Sequence, residues 1–549
     1  MRHQTLQLAL ATCLLPALAC GHPSPAPSAT PAATSAAITP GDLRARLSIY
    51  ADDSMQGRRA GTPGNVKATE YIAAEARRIG LQPAGDGGGW FQTVPLVERS
   101  LVSAASVTAG GASFVPWTDF YVRDQGKGSR PINGVAVVDG GTVSEDRPAT
   151  LTPAQAAGKL VVIRMAPQKD GSPAALVTRA VVTGLFQSAA GIAVATLDAI
   201  GASDREALRA TGAQLVKDDA PDLPAFMYVT GRMADAMLRA GTVTGTVAFM
   251  DVPAPAPARN VVAILLGSDP ALRGELVAIG AHNDHIGLAA TPVDHDSLRA
   301  WNSVMRPRGA DDSPGTPTAA ETARVRTILD SLRRRRAPRP DSVFNGADDD
   351  GSGSVSVLEI AEAMARSPDR PKRSILFVWH TAEELGLLGS DWFTRHPTVP
   401  RDSIVAQLNI DMIGRGRADD LPGAGPDYVQ LIGSRRLSTE LGDLVERVNT
   451  EDKHGLVFDY AWDANGHPEN GYCRSDHYMY ARFGIPITFF TTGGHRDYHQ
   501  LTDEVQYIDF EKMARVGSLV EDVALHVANL DHRIVVDKPK PDPNGGCKQ

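Results

Sequence analysis

Four apolar segments of the sequence end in side chains that can bind metals or transfer protons. The segments are "AIGAHNDH", "FVWHTAEE", "LNIDM" and "PITFFTTGGHRDYHQLTDE", and their polar groups are His282, Asp284, Glu383, Glu384, Asp411, His495, Asp497 and His499. Imidazole nitrogens and carboxylate oxygens are ligands of Zn²⁺, and carboxylates also act as general acids and bases. A lone histidine at a strand end is more often structural, but four successive segments with such endings predict a metal centre.

A run of three aspartates, Asp348 to Asp350 in "FNGADDDGSG", raises a separate question. Adjacent like charges repel each other, so the run needs nearby positive charge. The run leads into the helix candidate "SVSVLEIAEAMARS", whose positive N-terminal end would lie near the carboxylates. A similar stretch, "RGADDSPG" at 308–315, is a second candidate for the same chemistry.

Near-continuous apolar runs alternate with helix candidates over the C-terminal half of the chain. The runs are "NVVAILLG", "ELVAIGAH", "SILFVW", "SIVAQLNIDM", "YVQLIG" and "IPITFF". Runs of this kind are typical of strands that are buried on both faces of a sheet. They predict an α/β fold with a mostly parallel central sheet flanked by helices, in which ligand sites lie at the carboxyl ends of the strands.

Changes of pattern along the chain predict its domains. Residues 41–98 are predicted to be helical and to pack with the main α/β domain, 256–535. Between them, residues 99–255 contain shorter β runs such as "GKLVVIRM" and predict an inserted small, β-rich α/β domain. Residues 288–343 are a polar insertion, rich in proline and arginine, with one predicted helix in "AAETARVRTILDSLRRRR", and 536–549 are a C-terminal tail.

The N-terminal residues predict export. A basic start, an apolar stretch and a small-residue cleavage site indicate a signal peptide at 1–19, too short for a membrane span. Cys20 follows directly, so lipid attachment to Cys20 and ordinary cleavage are both open. Residues 20–40 are a Pro/Ala/Ser tether. The expected location is the periplasm, the outer membrane as a lipoprotein, or the extracellular medium, without a transmembrane span.

Composition excludes some classes of protein. The chain has 549 residues, of which 42% are hydrophobic and 22% charged, as in soluble proteins of two or three domains. A formal net charge of -9 argues against a nucleic-acid partner. With four cysteines the chain is not a disulfide scaffold. A Cys473–Cys547 bridge is open but is not favoured by the spacing, and the oligomeric state is not indicated.

The ordered motifs "GAHNDH", "NGADDDGSG", "HTAEELGLLGS", "LNIDMIG", "YCRSDH" and "YHQLTDE" resemble those of the family-28 metallopeptidases. These are dizinc aminopeptidases and their carboxypeptidase relatives. The resemblance covers about 258–530 and the entry helix near 41–98, and implies the zinc-aminopeptidase type of α/β fold. The block at 99–255 resembles the protease-associated domain that interrupts many members.

The resemblance implies two Zn²⁺ ions that share one carboxylate. His282 and Asp411 would hold one ion. Glu384 and His499 would hold the other, and Asp349 would bridge the two. Three carboxylates and a bridging hydroxide would then balance the charge of the two ions.

Supporting roles follow from the same resemblance. Asp284 would orient His282 without touching a metal, as ligating imidazoles usually require. Asp350 would support the loop, and a cis peptide bond is expected between Asp349 and Asp350. The similar stretch at 308–315 is set aside as a metal site, because Pro314 stands where the family has a small residue leading into a helix.

Glu383 and Tyr472 would be the catalytic groups. Glu383 matches the general base, which takes a proton from the bridging water and passes it to the leaving amine. Tyr472 matches a tyrosine that stabilises the oxyanion, and a packed loop aromatic is the alternative for this residue. Some relatives fix the tyrosine loop with a disulfide whose cysteines flank the tyrosine. Here Cys473 follows it directly and Arg474 takes a flanking position, so that brace is expected to be absent.

The implied function is an exported zinc-dependent aminopeptidase that acts on peptides. A carboxypeptidase or dipeptidase of the same family remains open. A glutaminyl cyclase with one zinc ion and an inactive binding homologue are further alternatives, against which the complete ligand set and Glu383 argue. The insertion 288–343 either overhangs the cleft and restricts the substrate or has no role.

Overall fold

The computed structural model describes residues 34–102, 104–123, 130–143, 151–165, 186–201, 205, 212–215, 223–421 and 423–549. The signal peptide, Cys20 and most of the tether predicted from the sequence lie outside these residues. None of the described helices has the length and apolar character needed to cross a membrane.

The strands of the described residues are, in chain order, β1 (Gln82–Pro83), β2 (Phe91–Val94), β3 (Leu96–Leu101), β4 (Ser106–Ala109), β5 (Ala112–Phe114), β6 (Phe120–Arg123), β7 (Val135–Val143), β8 (Leu160–Met165), β9 (Gly191–Ala195), β10 (Gly212–Leu215), β11 (Ala225–Val229), β12 (Thr242–Thr246), β13 (Phe249–Pro253), β14 (Ala258–Leu265), β15 (Leu276–His282), β16 (Gly287–Asp294), β17 (Pro340–Phe344), β18 (Ser374–His380), β19 (Ile404–Ile410), β20 (Tyr428–Ile432), β21 (Val457–Asp459) and β22 (Ile487–Thr491). The α-helices are α1 (Pro40–Tyr50), α2 (Pro63–Ile79), α3 (Pro153–Ala156), α4 (Gly231–Ala240), α5 (His295–Met305), α6 (Ala319–Arg333), α7 (Gly353–Arg366), α8 (Leu388–Arg395), α9 (Thr439–Glu451), α10 (His477–Ala481) and α11 (Phe510–Asn529).

The predicted apolar strands form the centre of a nine-stranded sheet with the order β1-β14-β18-β15-β19-β22-β20-β21, and β2 pairs with β14. Strands β18, β15, β19 and β22 are parallel. Strands β14 and β20 run antiparallel to their inner neighbours. The predicted α/β fold is confirmed, with a parallel centre and antiparallel strands towards the edges.

Helices cover both faces of this sheet, which explains why its central strands are apolar throughout. In β15, Val277 and Ile279 contribute to one core, together with residues of α1, α2, α7, α9 and α11. Leu276 and Ala278 contribute to the core on the other face, with residues of α8 and α10. Because the four central strands are parallel, their carboxyl ends meet at one edge of the sheet.

The block predicted as an inserted domain has its own sheet and cores. Strands β4 to β9, β11 and β12 lie in an eight-stranded sheet, and β3 pairs with β10 and β13 in a separate three-stranded sheet. Two apolar clusters flank the larger sheet. Strands β3 and β13 are antiparallel neighbours, so the chain enters and leaves the block side by side. Its assignment as a protease-associated domain stays a prediction.

The insertion is a folded element closed by an antiparallel pair, β16 with β17. The predicted helix is α6, which begins after Thr318 with a capping box to Glu321. A second helix, α5, was not predicted from the sequence. Arg333, Arg336 and Arg339 all contact the buried carboxylate of Asp296 at the start of α5. The arginine run therefore stabilises the insertion internally.

The C-terminal tail packs against the loop that carries Tyr472. Cys473 and Cys547 form a disulfide, with their Cα atoms 5.8 Å apart. The side-chain oxygen of Gln549 also accepts a hydrogen bond from the backbone N–H of Tyr472, at 2.9 Å. The bridge that the sequence left open is therefore present, although the spacing did not favour it, because the tail returns to this loop across 74 residues of sequence.

A buried arginine connects the first helix to the helix that follows the aspartate run. Arg46 of α1 is 2% exposed and pairs with Glu75 of α2 at 2.6 Å. It also contacts Glu359 and Glu362 of α7. The position of α7, and hence of the loop before it, depends on this charge cluster.

Replacement of Arg46 by methionine is expected to lower the free energy of unfolding by about 3–5 kcal/mol, because it leaves buried carboxylates without a partner. Urea denaturation of the full chain measures the change. The matched control is Arg44→Met at an exposed position of the same helix, expected to change stability by about 0.5 kcal/mol or less. Equal midpoints for Arg46→Met and the wild type would contradict this assignment.

Candidate metal centre

The carboxyl ends of the central strands bring the predicted metal ligands together. His282 is the last residue of β15, and Asp411 directly follows β19. Glu384 lies in the turn after β18, and His499 in the loop after β22. Asp349 comes from the turn between β17 and α7 and lies between the other four.

The first group of ligand atoms surrounds His282. Its Nε2 atom lies 3.1 Å from Oδ1 of Asp349 and 3.6 Å from Oδ1 of Asp411. The nearest oxygen of Glu383 is 3.9 Å from the same nitrogen. These separations suit groups arranged around one divalent cation, with Glu383 at the margin.

The second group uses the other oxygen of Asp349. Nε2 of His499 lies 3.0 Å from Oδ2 of Asp349 and 2.9 Å from Oε2 of Glu384. His285, which was not predicted from the sequence, also belongs to this group. Its Nδ1 lies 2.6 Å from Oε1 of Glu384 and 3.8 Å from Oδ2 of Asp349. The signal for it was present, since His285 closes the same "GAHNDH" motif that contains His282.

The orientation of His282 fits metal binding. Its Nδ1–H donates to the backbone carbonyl of Asp284 at 3.1 Å, which leaves the lone pair of Nε2 directed at the carboxylates. Nε2 of His282 and Oδ2 of Asp349 are buried atoms without a hydrogen-bond partner among the described residues. Nitrogen and oxygen donors with unsatisfied atoms of this kind fit divalent cations, Zn²⁺ among them.

Asp284 contacts His282 through its backbone carbonyl and not through its carboxylate. The carboxylate oxygen is 3.7 Å from Nδ1 of His282, farther than the carbonyl oxygen of the same residue. That carboxylate instead accepts a hydrogen bond from the backbone N–H of Glu383, at 3.0 Å. Asp284 therefore contacts both the candidate ligand and the candidate general base.

The electrostatics of the site reflect an excess of buried negative charge. Burial would raise the pKa of Asp349, but contacts with His282 and His499 hold it well below its usual range. Burial raises the pKa of Glu383 well above its usual value, with the nearby carboxylates of Glu384 and Asp411 adding to the shift against the opposing effect of His282. Bound cations would relieve this crowding of carboxylates.

Asp350 supports the metal centre without facing it. Its Oδ2 accepts the backbone N–H of His282 at 3.0 Å, and its Oδ1 accepts that of Gly353 at 2.9 Å. A side chain at Gly353 would place its Cβ only 2.3 Å from Oδ1 of Asp350, so the close approach requires glycine. The peptide bond between Asp349 and Asp350 is cis, as expected.

Asp348, the first of the three aspartates, points to the opposite side. Its carboxylate accepts the backbone N–H of Gly414 at 2.7 Å and lies 3.1 Å from Nε2 of His495. Asp503 in turn accepts the backbone N–H groups of Asp348 and Asp349. Of the three aspartates, only Asp349 faces both groups of ligand atoms, and its neighbours fix the loop.

The remaining ligand-like residues brace the loop after β22. His495 contacts Asp348, as described. Asp497 pairs with Arg299 at 2.5 Å and with Arg415 at 2.9 Å. Neither belongs to the two groups of ligand atoms, and both support the loop that carries His499.

The structure places Tyr472 away from the metal centre. Its side chain is 3% exposed and packs in the apolar core on one face of the sheet. The ring lies 5.7 Å from that of Tyr478 and 4.5 Å from the guanidinium of Arg436. The geometry corrects the oxyanion assignment in favour of the packed-aromatic alternative, because the braced loop turns the ring into the core.

A cavity adjoins the two groups of ligand atoms, and a different tyrosine faces it. The lining residues are Asp311, Asp349, Glu383, Asp411, Met412, Trp462, Gly471, Arg474, Ser475, Phe489, Thr491, Gly493, Gly494, Tyr498 and His499. Tyr498 stacks on His499 with ring centroids 4.0 Å apart, and its hydroxyl accepts a hydrogen bond from Nη2 of Arg474 at 3.1 Å. Tyr498 directly precedes His499 but was not among the residues predicted from the sequence.

The fold and the site define a class of protein: an α/β protein whose sheet edge presents two groups of candidate metal ligands around one shared carboxylate. Residues 260–524 match the model of peptidase family M28. The similarity to peptidase family M28 is thus established for this segment, where it confirms the resemblance drawn from the motifs.

Several known proteins with similar sequences are named leucine aminopeptidase 1. Leucine aminopeptidase 1 of Aspergillus fumigatus is 28% identical over 194 residues, which are 33% of this chain and 47% of that protein. Leupeptin-inactivating enzyme 1 of Streptomyces exfoliatus is 46% identical over 77 residues, 14% of this chain and 18% of that protein. The chain thus spans about half the length of the leucine aminopeptidases that it matches. Among solved structures, an aminopeptidase from Aneurinibacillus sp. strain AM-1 is 17% identical, with a TM-score of 0.47 and coverage of 91% of this chain and 97% of that one.

Because Asp349 faces both groups of ligand atoms, its removal is expected to weaken metal binding at both. Asp349→Ala is expected to bind less than about one equivalent of Zn²⁺, whereas the wild type binds about two and His499→Ala about one. The measurement is elemental analysis of purified protein after reloading with Zn²⁺ and dialysis. His532→Ala, at an exposed histidine outside the site, is the control. Wild-type stoichiometry in Asp349→Ala would contradict the bridging geometry.

Proposed function

We propose that this protein is an exported dizinc aminopeptidase that hydrolyses the first peptide bond of substrates with a free amino terminus. The observation that carries the proposal is the Asp349 carboxylate, whose two oxygens face two separate imidazole-carboxylate groups beside Glu383. The match to peptidase family M28 supports the reaction class. Export rests on the sequence of the N-terminal residues alone.

The residues that would hold the ions follow from the distances. His282 and Asp411 would complete one site, and Glu384 and His499 the other, with Asp349 between them. Two bound zinc ions would supply an activated water and a polarised scissile carbonyl. The residue outside this set that contacts it most closely is His285, which would hold the carboxylate of Glu384 in place.

Glu383 is placed to transfer the proton. It lines the cavity, and its side chain is 11% exposed. Because Asp284 fixes its backbone, the carboxylate stays beside the first group of ligand atoms without joining it. In the proposed reaction an oxygen of Glu383 accepts the proton of the attacking water and then donates it to the leaving amine.

The charges of the cavity favour an aminopeptidase over a carboxypeptidase. Arg474 lines the cavity, but its guanidinium already pairs with Asp311 at 2.9 Å and with Glu469 at 3.1 Å. A substrate carboxylate would have to displace one of these partners, whereas an ammonium group would not.

Replacing Glu383 by glutamine is expected to lower kcat for a leucine-anilide substrate by about 1,000-fold or more without loss of metal, because the amide cannot accept a proton. Wild-type activity should vanish on chelation and with N-acetylated substrate. Glu446→Gln, at a surface residue, is the control. Undiminished turnover in Glu383→Gln would refute the mechanism.

The same assays separate the alternatives. Release of C-terminal residues from N-blocked peptides would identify a carboxypeptidase. Cyclisation of N-terminal glutamine by protein with about one zinc ion would identify a glutaminyl cyclase. Metal-loaded protein without turnover on any of these substrates would point to a binding homologue.

Tyr498 is the proposed oxyanion donor, since it lines the cavity, its ring stacks on His499 and its hydroxyl contacts Arg474, another lining residue. Tyr498→Phe is expected to lower kcat by about 100-fold or more with little change in KM, because a donor to the transition state is lost. Tyr472→Phe, the buried counterpart, should stay within a few-fold of the wild type. Steady-state kinetics of both variants measure the difference, and equal losses would refute the assignment.

A further inference from the structure

We propose that Asp311, which the insertion carries into the cavity, recognises a protonated nitrogen of the substrate's first residue. This inference rests on the proposed aminopeptidase function and names a specificity residue within the same site. The protonated nitrogen is either the α-ammonium group or a basic side chain, and both present the same N–H donors to a carboxylate.

The insertion is attached directly to the loop that carries His499. The backbone N–H of Ala310 donates to the carbonyl of Tyr498 at 3.1 Å. At Gly309, an added Cβ would lie 2.4 Å from the same carbonyl oxygen, so only glycine allows the two chains to approach this closely. Ten residues before Gly309, Arg299 of α5 pairs with Asp497 at 2.5 Å. Asp311 is therefore held at a defined place on the cavity wall.

Of the two carboxylate oxygens of Asp311, one has a hydrogen-bond partner among the described residues. Its Oδ1 accepts a hydrogen bond from Nη2 of Arg474 at 2.9 Å. Its Oδ2 is buried and has no hydrogen-bond partner among the described residues. Gly494, another lining residue, packs close to Oδ2, since an added Cβ there would lie 2.9 Å from this oxygen.

Among the described residues of this wall, Oδ2 of Asp311 is an acceptor without a hydrogen-bond donor, whereas the guanidinium of Arg474 is already paired. Arg474 is shared by Asp311, Glu469 and the hydroxyl of Tyr498. Glu469 is paired a second time, with Arg308 at 2.5 Å. The available group on the wall is therefore a carboxylate oxygen, and an N–H donor of the substrate satisfies it.

The test compares Asp311→Asn with the matched control Asp312→Asn. Asp312 belongs to the same segment and pairs with Arg308 at 3.0 Å, but it does not line the cavity. The probes are L-leucinamide and L-lysinamide binding to zinc-loaded protein by calorimetry, and kcat/KM for dipeptides that begin with Leu, Lys or Glu. The zinc content of every variant, measured by elemental analysis, shows whether the loop that carries His499 still holds this candidate ligand in place.

In Asp311→Asn, affinity and kcat/KM for the recognised cation are expected to fall by at least about 10-fold, with unchanged metal content. A fall for lysine alone identifies the side chain, and an equal fall for leucine and lysine identifies the α-ammonium group. In the α-ammonium case the fall extends to Glu-initiated dipeptides, which carry the same group. In the side-chain case turnover of Glu-initiated dipeptides is expected to rise, since Arg474 loses a counter-charge. A purely structural role for Asp311 would not produce that gain.

Three results would overturn the inference. They are values within about two-fold of the wild type for all probes, a loss that Asp312→Asn reproduces, and a loss of metal in Asp311→Asn. Failure of the aminopeptidase proposal is distinguishable, because calorimetry reports binding without turnover. An inactive wild type refutes the proposed function, whereas unchanged amide binding in Asp311→Asn refutes only the role of Asp311.

Discussion

The arrangement of the site depends on one buried carboxylate that serves two neighbours. Asp349 directs one oxygen at His282 and the other at His499, from a side chain only 4% exposed. A buried carboxylate is costly unless it is paired or bound to cations. The loop therefore needs rigid support, and it receives it from hydrogen bonds that Asp348, Asp350 and Asp503 make with backbone N–H groups.

The scaffold supplies this support from both sides of the sheet edge. Parallel strands deliver His282 and Asp411 from neighbouring positions, and the buried charge cluster of Arg46 holds α7 against α1 and α2. Two parts of the chain that lie far from these strands in sequence then complete the cavity. The insertion contributes Asp311 to its wall, and the tail fixes the loop of Tyr472 through Cys547.

The sheet could be predicted from local patterns in the sequence, whereas the five ligands were implied by the resemblance of the ordered motifs to a known family. Apolar runs predict buried strands, and the position of a parallel strand in the sheet determines where a side chain at its carboxyl end lies. Side-chain direction in loops is not local. Tyr472 and Tyr498 both adjoin site motifs, and only packing decides that the first enters the core and the second the cavity. Contacts between distant segments, such as Cys473 with Cys547 or Asp311 with Arg474, likewise leave no periodic signal.

Placing a recognition carboxylate on an insertion separates two requirements that otherwise conflict. The metal ligands need a rigid strand edge, since small displacements of a reacting group cost much of the rate. A specificity residue can change without disturbing them if it approaches from outside. Asp311 does so, but through Arg474 it also touches the hydroxyl of Tyr498. Binding of a substrate cation to Asp311 would therefore change the hydrogen bond between Arg474 and Tyr498. Recognition of the first residue and the position of the proposed oxyanion donor are thus coupled through one guanidinium group.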